Sequence, residues 1–316
     1  MDCCISNSMS NATEATHSLK SDKMVEDTKI LLTKIQLASD LHLEFLPFDY
    51  SNWNEIIEPK AEILCLLGDI GIISIESERN RLLRFLTYCC DSFQKVLFIS
   101  GNHEYYNSGI KGDEIMCMDD IDQVLYSFED VFSGKFKYLN SESIIIDGVL
   151  FLGTTLWSEM LNTDCKHVVE GFLKDYKVIF KENKTTKINS TQTHELFIKN
   201  KKLLIDNIES NNGKLPICVL THHTPSLTNT SNPMYNYDIS HPNFYVKHGF
   251  SSNMDELLTN NDLRVWAYCH THYNNIQYRN HTLLLSNQHG YNVNAHIDNY
   301  KRSLVVGIFT DRAEVF

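Results

Sequence analysis

Five short apolar runs in this chain each stop at a polar cluster, and that recurrence limits the possible folds more than any other feature. Ile30 to Ala38 is closed by Ser39-Asp40-Leu41-His42, Ala61 to Leu67 by Gly68-Asp69, and Val96 to Ser100 by Gly101-Asn102-His103-Glu104. Pro216 to Leu220 ends at Thr221-His222-His223, and Leu263 to Tyr268 at Cys269-His270-Thr271-His272. Apolar runs of about 4–8 residues bounded by turn-forming residues predict strands buried on both faces. Between the second and third runs, Glu76 to Phe93 carries Leu82, Leu83, Phe85 and Leu86 at helical spacing. Strand, helix, strand in that order predicts parallel pairing with crossover helices, hence an α/β fold. Ligands of such sheets gather beyond the carboxyl ends of the strands, which is where the polar clusters fall.

The rest of the chain fills in around this pattern. Residues 1–29 are rich in Ser, Asn, Thr, Asp and Lys and predict a flexible tail, and residues 30–316 read as one domain without repeats. Asp113 to Phe132 predicts a further helix. Ser143 to Ile146 and Val149 to Leu152 flank Asp147-Gly148, a two-residue hairpin signal, so the sheets are not purely parallel. Lys181 to Thr193 reads as an exposed loop, followed by a helix from His194 to Ile208 that Asn211-Asn212-Gly213 ends. Thr224 to Phe250 has few regular signals, but its aromatic content predicts a packed lid that shapes specificity. Ser251 to Leu258 opens like a capped helix, and Ile276 to Tyr278, Thr282 to Leu285 and Leu304 to Phe309 predict late strands.

A formal charge of −12 opposes non-specific binding to nucleic acid or anionic membranes. Nine cysteines without a CxxC spacing predict reduced thiols and a cytoplasmic location. No apolar run approaches the roughly 18 residues of a membrane span, and the N-terminus lacks a signal pattern.

Asp40 with His42, and His270 with His272, lie two residues apart. In extended backbone such residues point the same way, so each pair is expected to present two ligands to one place. Oxygen and nitrogen donors together suit manganese, iron, zinc or a similar divalent ion rather than a thiolate site.

Taken in order, Asp40-x-His42, Gly68-Asp69, Gly101-Asn102-His103-Glu104, His222 and His270-x-His272 resemble the calcineurin-like metallophosphoesterase superfamily, over residues 30 to about 310. Leu41-His42-Leu43-Glu44-Phe45, Asp147-Gly148 with Trp157, Asp175-Tyr176 and Thr221 to Ser226 resemble its stand-alone Ser/Thr-phosphatase-like branch. The resemblance implies a four-layer αββα sandwich of two mixed sheets and two divalent metal ions (Mn²⁺, Fe²⁺/³⁺ or Zn²⁺). It implies that Asp40, His42 and His272 hold one ion, Asn102, His222 and His270 the other, and that Asp69 bridges them. A bridging hydroxide would then attack phosphorus directly. Asn102 and His103 would contact the phosphoryl group, with His103 assisting the leaving oxygen, a role worth about 10²–10⁴ in rate. Glu104 is expected either to hydrogen-bond a ligand imidazole or to lie on an exposed turn.

Three departures accompany the resemblance. Ile72 and Ile73 stand where phosphoprotein phosphatases carry an aspartate that orients the histidine and an arginine that grips phosphate, so His103 lacks an assigned partner. Cys269 replaces the usual glycine before the HxH pair, its thiol expected to point away from the histidines. His289, in Asn287-Gln288-His289-Gly290-Tyr291, is either a replacement cationic contact or a loop residue. The leading expectation is a phosphohydrolase acting on a small monoester or diester. A metal-binding scaffold without turnover and a nuclease are the alternatives, the latter disfavoured by the acidic charge.

Overall fold

The apolar runs become strands whose alternate residues are buried against different layers. The computed structural model describes residues 30–109, 114–291 and 299–316, so the expected tail lies outside the described residues. In chain order the strands are β1 (Leu31–Ala38), β2 (Ile63–Leu66), β3 (Lys95–Phe98), β4 (Phe136–Tyr138), β5 (Glu142–Ile146) and β6 (Val149–Thr154). Then come β7 (Ile217–Thr221), β8 (Leu263–Ala267), β9 (Ile276–Arg279), β10 (Thr282–Leu285), β11 (Val305–Phe309) and β12 (Ala313–Val315). The helices are α1 (Glu76–Ser92), α2 (Met118–Val131), α3 (Thr163–Phe172), α4 (Asp175–Val178) and α5 (Ser190–Asn211).

The strands form two six-stranded sheets, ordered β12-β11-β1-β2-β3-β4 and β5-β6-β7-β8-β10-β9. Strands β1 to β4 are parallel, as are β6, β7, β8 and β10. β5, β9, β11 and β12 add antiparallel pairs. Ile35, Leu37, Cys65 and Leu97 of the first sheet share one buried cluster with Phe151, Cys218, Leu220, Val265 and Leu283 of the second. Their neighbours in sequence, Leu64, Val96, Phe98, Val219, Trp266 and Leu284, turn the other way and share a cluster with Leu82, Phe85 and Leu86 of α1 and Phe197 and Leu204 of α5. Period-two alternation with both faces covered gives the four layers αββα. Each fully buried Leu or Phe contributes about 1.5–3 kcal/mol.

The hairpin stands as expected, with Asp147 and Gly148 at φ 51° and 75°. Elsewhere the boundaries shift. α5 begins at Ser190 rather than His194, because Asn189 caps it and exchanges hydrogen bonds with Gln192. The polar stretch before it holds α3 and α4. Ser251 to Leu258 is not a helix, because the amides of Ser252 and Met254 are spent on the carbonyls of Thr224 and Pro225, leaving one 3₁₀ turn at Leu257–Thr259. Among the described residues no helix is long and apolar enough to cross a membrane.

Candidate metal centre

The loops that leave the carboxyl ends of β1, β2, β3, β7 and β8 converge on one spot. His272 Nε2 lies 3.3 Å from Asp40 Oδ1 and 3.2 Å from His42 Nε2. His222 Nε2 lies 3.1 Å from Asn102 Oδ1 and 3.1 Å from His270 Nδ1. Asp69 reaches toward both groups, with Oδ1 3.4 Å from His222 Nε2 and Oδ2 4.0 Å from His42 Nε2. Asp40, His42 and His272 have donor atoms mutually within 4.8 Å, as do Asp69, His222 and His270, and His42, Asp69 and His103. The backbone N–H of His103 donates to Asp69 Oδ1 at 2.8 Å.

Backbone conformation, more than strand alternation, aims these side chains. Asp40, His42, Asp69, His270 and His272 have φ of 50°, 45°, 53°, 72° and 48°, all left-handed. The expectation that each pair presents two donors to one place holds for Asp40 and His42, which share a group, and fails for His270 and His272, which fall in different groups, and neither pair stands on extended backbone. Asp and His are among the few non-glycine residues that adopt this region readily. Gly68, at φ 86°, turns the chain beneath Asp69, and a methyl there would lie 2.7 Å from both Gly101 Cα and His222 Nδ1. Glu104 is fully buried and spends its hydrogen bonds on backbone amides rather than on an imidazole. It accepts the N–H groups of Gly101 (2.7 Å), Asp69 (2.9 Å) and Ile70 (2.7 Å), tying the loop after β3 to the loop after β2. Burial and nearby Asp69 push its carboxyl up to about 7, against the pull of those amides.

Burial alone would raise the Asp69 carboxyl and lower the His222 imidazole. Their mutual attraction wins, holding Asp69 well below the usual carboxylate range and His222 well above the usual histidine range. Burial, with His223 and His222 nearby, pushes His270 the other way. Asp40 Oδ1 and His270 Nε2 are buried without a hydrogen-bond partner. Carboxylate and amide oxygens and ring nitrogens gathered at 3.1–3.3 Å, beside the unpartnered His270 Nε2, form a donor set that fits divalent cations.

The family model for calcineurin-like phosphoesterases matches residues 33–274, which takes in all of these loops. The chain belongs to the calcineurin-like phosphoesterase family. It is a metallophosphoesterase-type hydrolase with a buried His/Asp site. The uncharacterized protein L509 of Acanthamoeba polyphaga mimivirus is 28% identical over 266 residues, spanning 81% of this chain and 91% of that protein. Among solved structures, the phosphopantetheinyl hydrolase PptH from Mycobacterium tuberculosis superposes with a TM-score of 0.57 at 14% identity, over 83% of this chain and 91% of that one. The protein TT1561 of Thermus thermophilus gives 0.47 at 10% identity, over 90% and 98%.

Within this phosphoesterase fold, other residues complete the site. Glu44 Oε1 sits 2.9 Å from His103 Nδ1, supplying the partner that the isoleucine at position 72 left unassigned. Asp175 accepts from Asn102 Nδ2 (2.9 Å) and from the Tyr106 hydroxyl (2.6 Å), which fixes the Asn102 amide with its oxygen toward His222. The sequence signals were present in Leu-His-Leu-Glu-Phe and Asp175-Tyr176, but nothing in their spacing assigned contacts. His223 stands outside the donor groups, its Nδ1 3.2 Å from the Thr155 carbonyl oxygen and its ring packed on His270 at 4.3 Å. Cys269 keeps an ordinary φ, so the lost glycine costs no strain; its thiol donates to the Leu67 carbonyl (3.0 Å), and burial pushes it up to about 12. His289 packs against Tyr300 with Nδ1 3.1 Å from the Gly290 oxygen, and burial pushes its imidazole below the usual histidine range, which argues against a cationic contact. Its neighbour Tyr291 faces the site instead, with its hydroxyl 3.3 Å from His103 Nε2. A cavity of about 390 Å³ adjoins the cluster, lined by Tyr106, Phe172, Lys174, Tyr235, Phe250 and Tyr291 among others.

Proposed function

We propose that this protein is a two-metal phosphohydrolase of small phosphate esters. The observation that carries the reading is Asp69, whose two oxygens face the two separate donor groups. Asp40, His42 and His272 would hold one ion and Asn102, His222 and His270 the other, with Asp69 shared. Manganese, iron and zinc all suit these donors. When bound, such ions supply Lewis acidity at phosphoryl oxygens and lower the pKa of water toward neutrality.

The chain's own groups do the rest. His103, whose Nε2 lies 3.3 Å from the hydroxyl of cavity-lining Tyr291, protonates the departing oxygen, while its backbone N–H holds Asp69 in place. Asn102, braced by Asp175, keeps its amide oxygen aimed inward. Phe172, Tyr235 and Phe250 offer a corner for a flat or apolar part of the ester. Lys174, with Nζ 5.3 Å from the Tyr106 ring centroid, adds a cation at the same wall.

The test is hydrolysis of mono-aryl and bis-aryl phosphates by metal-stripped protein with Mn²⁺ restored, beside Asp69→Asn and His103→Ala. Restored turnover that both variants lose supports the reading, and the faster ester separates phosphatase from diesterase. A wild type that binds two ions per chain yet cleaves neither ester sinks it in favour of a scaffold.

A further inference from the structure

We infer that Glu44 is the positioning carboxylate of this site: it fixes the His103 ring so that Nε2 faces the leaving group. The inference rests on the phosphohydrolase reading for its kinetic consequence and on geometry for everything else. Glu44 Oε1 lies 2.9 Å from His103 Nδ1 and 3.4 Å from His42 Nδ1. An ionised carboxylate only accepts, so both imidazoles present Nδ1–H to it and keep their Nε2 atoms for the site. Those Nε2 atoms are where the chemistry needs them, His42 Nε2 3.2 Å from His272 Nε2 and His103 Nε2 3.3 Å from the Tyr291 hydroxyl.

The surroundings leave ring orientation as the one thing still to be fixed. His103 stacks on Tyr106 with centroids 4.2 Å apart and meets His42 edge-on at 4.4 Å. Stacking holds the ring plane but does not distinguish one nitrogen edge from the other after a half-turn. The Glu44 contact does. The side chain of Glu44 is only 8% exposed, and Oε2 is buried without a hydrogen-bond partner. The side-chain hydrogen bonds it does make go to the two imidazoles, both through Oε1. The turn that carries it is rigid: the Leu43 amide donates to the Ile70 carbonyl at 2.9 Å, and buried Arg81 donates to the Leu43 carbonyl.

The experiment uses the full chain carrying ¹⁵N-histidine and loaded with Zn²⁺, with long-range ¹⁵N–¹H spectra assigned by loss of the His103 signal in His103→Ala. At a pH where its imidazole is neutral, wild type is expected to show one His103 tautomer, protonated at Nδ1, and Glu44→Ala a mixture; the proton that Nε2 gives the leaving oxygen is the second one, held by the imidazolium at lower pH. With Mn²⁺, Glu44→Ala should lower kcat for an alkyl phosphate about 10–100-fold, with KM changed less than about threefold. Added to His103→Ala, it should cost nothing further. Glu44→Gln, which keeps an acceptor oxygen, should recover part of the loss. An unchanged tautomer in Glu44→Ala overturns the inference, as does a His103→Ala penalty as large in the Glu44→Ala background as in wild type. If wild type cleaves no ester, the phosphohydrolase reading fails, and the tautomer decides on Glu44 alone.

Discussion

Gly68 and Gly101 stand back to back beneath Asp69, and a side chain on either would strike the other's loop or His222. Gly68 also sits at φ 86°. Gly68→Ala should therefore destabilise the metal-free protein by about 2 kcal/mol or more, read as a shift in the denaturant midpoint. It should also lower metal stoichiometry, since Asp69 is set by that turn. At this scale the identity of the site residues was legible, because carboxylates and imidazoles behind apolar runs are poor core material. Their conformation was not, because left-handed backbone at Asp40, His42, His270 and His272 depends on hydrogen bonds from distant residues. His272 N–H, for example, donates to Gln288 Oε1 at 2.6 Å. The two glutamates were hardest to place. Glu104, next to His103 in sequence, turned out to clamp backbone amides, while Glu44, 59 positions away, meets the imidazole. Glu104→Gln, which sets an amide group against those N–H donors, should cost about 1–3 kcal/mol by the same measurement.

Among the elements, α3 and the long loop before Ser251 build one wall of the cavity together. Phe172 at the end of α3 meets Phe250 at 6.3 Å and Tyr235 at 6.4 Å between ring centroids, and Tyr235 meets Phe250 at 5.2 Å. Tyr235→Ala should raise KM for an aryl phosphate about 2–10-fold relative to methyl phosphate, with metal content unchanged by elemental analysis. Equal effects on both esters would remove this wall from substrate recognition. The loop's role as a packed wall followed from its aromatics. Its partner helix did not, because residues 154–192 are polar and α3 is started by Asn162, whose side chain accepts from Cys165 N–H. The start of α5 was readable in principle from Asn189 and Gln192, and Asn189→Ala should cost about 1 kcal/mol of stability.

Across the whole molecule, the donor atoms are divided between the two sheets. Asp40, His42, Asp69 and Asn102 leave the first, and His222, His270 and His272 leave the second. Metal should therefore stabilise the pair of sheets as a unit. Divalent ion at about 100 times its Kd should add about 2.7 kcal/mol to unfolding, an increment that a chelator or Asp69→Asn removes. Parallel strands, crossover helix and hairpin were all legible from period and order. The division into two sheets came only with the family resemblance: β4 and β12 are three residues long, too short to establish a period, and β1 pairs with β11, more than 260 positions later. That last pairing has a consequence for the chain as it leaves the ribosome. β1, which delivers Asp40 and His42, stays an unfinished edge until Val305–Phe309 arrives, and no half of the nascent chain carries a complete donor set. A fragment that stopped before His272 would lack part of the donor set, and one that stopped before Val305 would leave the strand carrying Asp40 and His42 without its partner.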